Sequence, residues 1–99
     1  MNEHREQIND VVALGALARV VRIAQGFTRD ELAAATGLSP KFISQVEAGK
    51  ATAQFGKVLQ LLGELGIRLF AETPDTNFTQ ESRKAALGRR RSPRTRSEA

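Results

Sequence analysis

Residues 28–50 constrain what this chain can fold into more than any other segment. Thr28 and Glu31 stand at S/T-x-x-E spacing, so each side chain can satisfy an orphan backbone N–H of a first helical turn. Phe27 before the cap and Leu32 at the fourth helical position are spaced as a hydrophobic staple. The spacing predicts a short helix that ends near Thr36, with Gly37 as the turn residue. A second start follows at once. Ser39 can cap a helix, and Pro40 occupies the first helical position, where the missing N–H costs nothing. Leu38 and Ile43 repeat the staple spacing, and this helix is expected to stop at about residues 48–49.

Two short helices joined by a glycine-containing turn of three or four residues make a helix-turn-helix unit, which needs particular residue types. Ala33 is small where the helices cross, and Leu32, Leu38, Ile43 and Val46 are apolar where the second helix is pinned across the first. The flanks add further helices. Asp10 can cap a helix running to about Gln25 and ended by Gly26. Its apolar residues Val11, Leu14, Leu17, Ala18 and Val21 recur at helical spacing, with Arg19 and Arg22 off that stripe. Thr52 can cap a fourth helix with a stripe of Phe55, Val58, Leu59, Leu62 and Leu65, weakened by Gly56 and Gly63.

After Gly66 the period changes to two. Ile67, Leu69 and Ala71 alternate with Arg68, Phe70 and Glu72, which predicts a short strand. No other segment resembles a partner strand, and a lone strand leaves unpaired N–H and C=O groups. Either residues 67–71 pair with the same segment of a second subunit, or the segment is an extended, packed arm. Residues 79–87 can form a short helix ended by Gly88, and residues 89–99 are a Ser/Arg/Pro-rich run expected to be disordered in the isolated protein. The expected fold class is all-α, a compact bundle of four to five helices with a short C-terminal strand. Residues 1–10 form a flexible N-terminus, 11–72 the domain, and 73–99 a basic tail.

Charge is unevenly placed along the 99 residues. Residues 1–72 hold eight Lys/Arg and eight Asp/Glu, whereas residues 73–99 hold seven Lys/Arg against three Asp/Glu. The formal net charge of +4 therefore belongs to the tail, and the high isoelectric point says nothing about the folded part. The tail has three readings: solubility, non-specific phosphate contact, or docking on an acidic partner. There is no cysteine, so no disulfide or thiolate metal site is expected; His4, the sole histidine, stands in the polar N-terminal stretch. No phosphate-cradling glycine loop is present either, so neither catalytic residues, a cofactor nor a metal is expected. The polar start does not resemble a signal peptide, and no apolar run approaches a membrane span; a soluble, cytoplasmic protein is the default expectation.

The residues Gly26-Phe27-Thr28, Glu31-Leu32-Ala33, Gly37-Leu38-Ser39, Ile43-Ser44 and Val46-Glu47-Ala48-Gly49-Lys50 resemble the Xre (lambda-repressor-like) family of bacterial and phage regulators. The resemblance covers roughly residues 11–66. It implies a bundle of four or five helices that binds double-stranded operator DNA as a two-fold homodimer. By the family's geometry Pro40, Lys41, Ser44 and Gln45 would face base edges, with lysine suited to guanine and glutamine to adenine. Thr28, Arg29, Ser39 and Lys50 would meet phosphates, although capping alone also explains Thr28 and Ser39. Phe42 would either touch a thymine methyl or pack inward. Glu47 would brace the domain through an internal ion pair with Arg22 as its partner, or Arg19 and Arg22, at i, i+3, would instead form an exposed face. Arg29 stands where the family usually has a glutamine that touches phosphate and braces the recognition helix. The arginine preserves a phosphate donor and leaves the bracing open.

The elements after Lys50, including Lys57-Val58-Leu59-Gln60, the strand and the polar tail, are similar to HipB-type antitoxins. That similarity implies repression of the protein's own operon and binding of a HipA-type kinase toxin. Two alternatives stand beside it: a module that mainly neutralises a protein partner, and a phage-type or restriction-controller regulator.

Overall fold

A computed structural model describes residues 4–74 and 79–89. Its helices are α1 (Val11–Ala24), α2 (Arg29–Thr36), α3 (Pro40–Glu47), α4 (Phe55–Glu64) and α5 (Gln80–Arg89). The first four lie in a unit that extends to Leu69, and α5 lies in a second unit from Phe70 onward.

Local chemistry sets most of the boundaries. The Asp10 carboxylate accepts from Ala13 N at 2.8 Å and starts α1. At α2 both arms of the capping box form: Thr28 Oγ1 accepts from Glu31 N at 3.0 Å, and Glu31 Oε1 accepts from Thr28 N at 2.9 Å. Gly37, at φ +79°, ends α2 in a left-handed conformation that a side chain would disfavour. Two residues later Ser39 Oγ accepts from Phe42 N, with Pro40 at the first position of α3.

The cap of α4 differs from expectation. Gln54, not Thr52, accepts from Lys57 N, at 3.2 Å. Ala53 N turns back to Lys50 O, which carries the chain past Thr52 before the helix can begin. Glutamine reaches the same N–H with a longer side chain, although it is not a preferred capping type.

The core is built on Leu32, Ile43, Leu61 and Leu62, all fully buried, with Ala18, Ala33, Val46, Val58 and Leu65 around them. α1 packs on α3, and α2 packs on both α3 and α4. Two expected stripes are rotated from their predicted positions. In α4 the buried positions are Val58, Leu61, Leu62 and Leu65, while Phe55 (61% exposed) and Leu59 face outward. In α1 the buried face is Gly15, Ala18 and Arg22, so the arginine expected off the stripe lies on it. Side-chain amides close the helix ends: Gln60 Nε2 donates to Thr36 O at 2.7 Å and Gln25 Nε2 to Leu65 O at 2.8 Å.

At the end of α4 the N–H of Gly66 returns to Gly63 O and that of Ile67 to Leu62 O, so Ile67 is held half-buried against the core. The strand expected at 67–72 is not formed in the single chain, where residues 67–74 are neither helix nor strand. A strand is defined by its ladder, and no segment among the described residues supplies one. The helix expected at 79–87 begins with Thr79 Oγ1 accepting from Ser82 N and runs through Gly88 to Arg89. The remainder of the low-complexity run, 90–99, lies outside the described residues.

Candidate nucleic-acid interface

The crossing of α1, α2 and α3 is organised around one carboxylate. Glu47, the last residue of α3, has a side chain only 3% exposed and takes hydrogen bonds from two arginines. Arg22 Nε donates to Oε2 at 2.6 Å and Arg22 Nη2 to Oε1 at 3.1 Å. Arg29 Nε donates to Oε1 at 3.0 Å. Arg22 Nη1 also donates to Phe27 O at 2.7 Å, which ties the turn between α1 and α2 into the same network. Burial pushes the Glu47 pKa up, but the hydrogen bonds from Arg22 and Arg29, with their charges, outweigh it and hold the carboxyl below the usual range. The hydrogen bond to Glu47 raises the Arg22 pKa against the opposing effect of burial. Two guanidiniums on one carboxylate leave an excess positive charge beside the helix-turn-helix, even though residues 1–72 are neutral in sum.

That charge opens onto a surface groove. Thr28, Arg29 and Asp30 line it from the start of α2, and Pro40, Lys41 and Ser44 line it from α3. Five of the eight residues expected to face DNA therefore meet on one surface. Spacings of one turn put Lys41 and Ser44 on the same face of α3. Gln45, half-buried, is adjacent in α3 but does not line this groove. Lys50 is exposed in the turn after α3, and Ser39 is exposed with its hydroxyl engaged as a cap. Of the segment expected to form a dimer strand, Ile67 is half-buried, and Arg68, Leu69, Phe70 and Ala71 are exposed.

Phe42 packs inward against the core, and Lys57 Nζ stands 5.9 Å from its ring centroid. α4 thereby brings a cation to a ring on α3, a meeting of residues 57 and 42 that sequence spacing did not single out. The Arg22–Glu47 pair was expected; the Arg29–Glu47 pair was not. His4 is exposed and bonds to Glu6 at 2.8 Å. No group of His, Cys, Asp and Glu that could hold a metal occurs among the described residues, and no single helix there is long and apolar enough to cross a membrane.

Comparison with known proteins agrees with this geometry. Residues 19–70 match the HTH_3 family, described as helix-turn-helix. Over 61 residues the chain is 49% identical to the Uncharacterized HTH-type transcriptional regulator y4mF of Sinorhizobium fredii (strain NBRC 101917 / NGR234), covering 62% of this chain and 80% of that protein. Among solved structures, HipB in the HipB–O4 20mer complex superposes with a TM-score of 0.65 at 21% identity, covering 72% of this chain and all of that one. The HipA–HipB–O2–O3 complex contains a chain with a TM-score of 0.66, 21% identity and the same coverage. At that identity the likeness is one of fold.

Proposed function

This chain belongs to the HTH_3 helix-turn-helix family, and from that premise we propose that it is a sequence-specific transcriptional regulator that binds double-stranded operator DNA. In this reading it represses its own operon as the antitoxin of a HipBA-like pair and also binds a HipA-type kinase toxin. The observation that carries the DNA-binding reading is the groove itself. It gathers Thr28 and Arg29 from one helix and Pro40, Lys41 and Ser44 from the next onto a single surface beside an excess of positive charge. Likeness of fold to HipB supports the antitoxin part, an argument by analogy.

Lys41 and Gln45 are the side chains assigned to base edges, at about 1–3 kcal/mol of discrimination each. Duplexes selected from a random pool by the wild-type protein provide the operator for the test. Lys41→Ala with Gln45→Ala is expected to weaken binding to that duplex about a hundredfold or more, with a smaller loss on a shuffled duplex, measured by fluorescence anisotropy. Unchanged operator affinity would remove the recognition helix from the reading.

The regulator acts as a homodimer in this proposal, with residues 67–72 of two copies pairing as strands. Exposed Leu69 (50%) and Phe70 (69%) support a protein-covered segment. The two half-sites would then be centred about one helical turn apart, roughly 34–36 Å. Truncation after Ile67 preserves the end of α4 and is expected to turn a dimer into a monomer in sedimentation velocity. A dimer unaffected by the truncation would assign the interface elsewhere.

A further inference from the structure

We infer that α5 is a second DNA-contacting surface, a short basic helix that lies on the phosphate backbone and reads no bases. The inference rests on the DNA-binding reading and deepens it. Over residues 1–72 the charges cancel, so the helix-turn-helix unit brings no net attraction for a polyanion. Backbone attraction nonetheless supplies essentially all of a regulator's affinity for non-specific duplex. In this chain the surplus begins at α5. Residues 80–99 carry seven Lys/Arg against two Asp/Glu.

The helix sorts that charge. Gln80, Arg83, Lys84 and Leu87 recur at i, i+3, i+4 and i+7 and line one shallow depression on its surface. Glu81, the one carboxylate of α5, stands about 100° around the helix axis from Gln80 and so lies off that face. Every residue from 79 to 88 is exposed. A helix of ten residues with its side chains in water is marginal by itself, so a ligand that covers the cationic face also stabilises the helix.

The chemistry of the face selects its occupant. Two cations and an amide donor suit phosphate oxygens, and the leucine, 55% exposed, suits the apolar side of a deoxyribose. A protein partner would need an apolar or aromatic centre to bury. α5 has Leu87 as its only large apolar residue, and residues 90–99 contain no Leu, Ile, Val, Met or aromatic side chain. Phosphate contacts are blind to sequence. α5 therefore raises affinity and leaves the choice of sequence to α3.

The test compares the full chain as wild type, as Arg83→Gln with Lys84→Gln, and as Ala85→Pro. Each is titrated with the selected operator and with a shuffled duplex across a salt series. Ala85→Pro leaves every charge in place and breaks α5 at its sixth residue. All three positions are exposed, so urea melts are expected to match wild type. For the double variant the slope of log affinity against log salt is expected to fall by about 1.8 on both duplexes, two phosphate contacts. Its preference for operator over shuffled duplex is expected to equal that of wild type. For Ala85→Pro the slope is expected to fall by about 0.9 or more, since a broken helix cannot present both cations together. An unchanged slope in the double variant overturns the proposal. An unchanged slope in Ala85→Pro alone overturns the helical face and leaves an unordered polycation. Capture of wild type on immobilised poly-glutamate, lost in the double variant while its duplex slopes stand, would give the face to an acidic protein instead. Because the slopes are also read on the shuffled duplex, a wild-type protein that selects no sequence overturns the operator reading and not this one. A protein that binds neither duplex overturns both.

Discussion

Glu47→Ala is expected to cost about 3–5 kcal/mol of folding free energy, because it strips a shared carboxylate from two arginines that converge on it. Arg22 suffers most. Its side chain is 8% exposed, and without Glu47 its remaining bond is to the Phe27 carbonyl. A domain of this size is stable by roughly 5–15 kcal/mol, so urea denaturation of the variant should show a midpoint far below wild type, or no folded baseline. Most of the loss belongs to the orphaned charge and not to the attraction itself. The paired change Arg22→Met with Glu47→Leu is therefore expected to lose less than Glu47→Ala alone. A loss under ~1 kcal/mol for Glu47→Ala would mean that water reaches Arg22 and replaces the carboxylate.

The same carboxylate gives the domain an acid-side instability. Its pKa is lower in the folded protein than the ordinary value of 4.5, since the arginine bonds outweigh burial. The folded state then binds the proton less readily than the unfolded state does. The stabilisation is complete above the unfolded value and is lost as pH falls through the folded one. Wild-type stability is expected to decline below about pH 4.5 more steeply than that of Glu47→Gln, whose amide does not titrate there.

How much of this was legible in the sequence depends on whether the cause was local. Thr28, Glu31, Gly37, Ser39 and Pro40 act within one turn of their own helix ends, and the turn they define appears where their spacing puts it. By spacing Arg22 falls off the apolar stripe of α1, and only the family resemblance offered Glu47 as its partner. It is buried because Glu47, 25 residues away, meets it there. Phe55 and Leu59 fit a helical stripe as well as Leu61 does, and only the angle at which α4 meets α2 decides that Leu61 goes inside. The groove follows the same division. Its members on α3 follow from the helix-turn-helix pattern, whereas Arg29's hold on Glu47 is a property of the crossing. The strand pattern at 67–72 is not met in the single chain, because a strand needs a ladder and no described segment supplies one.

Gly15 carries the other large effect, and nothing in its sequence context distinguishes it from a weak point in a helix. A Cβ on Gly15 would overlap the Val46 carbonyl oxygen and stand 3.0 Å from that of Glu47. Both oxygens are backbone atoms of the last turn of α3, so no side-chain rotation can relieve the clash. The helices must separate, at a cost at or above the upper end of the usual 1–3 kcal/mol for overpacking. Alanine's better helix propensity returns about 1 kcal/mol. Gly15→Ala is therefore expected to lose about 2–3 kcal/mol and, by shifting Glu47, to weaken operator binding in molecules that remain folded. Gly63→Ala makes the same chemical change in α4, where a Cβ would meet nothing within 4 Å. There only the propensity counts, and a gain of about 0.5–1 kcal/mol is expected. Chemical denaturation of the two variants side by side checks the argument, because helix propensity alone predicts the same sign for both. A stabilised Gly15→Ala protein would mean that α1 and α3 can part without penalty, and the rigid seat of α3 on α1 would be lost with it.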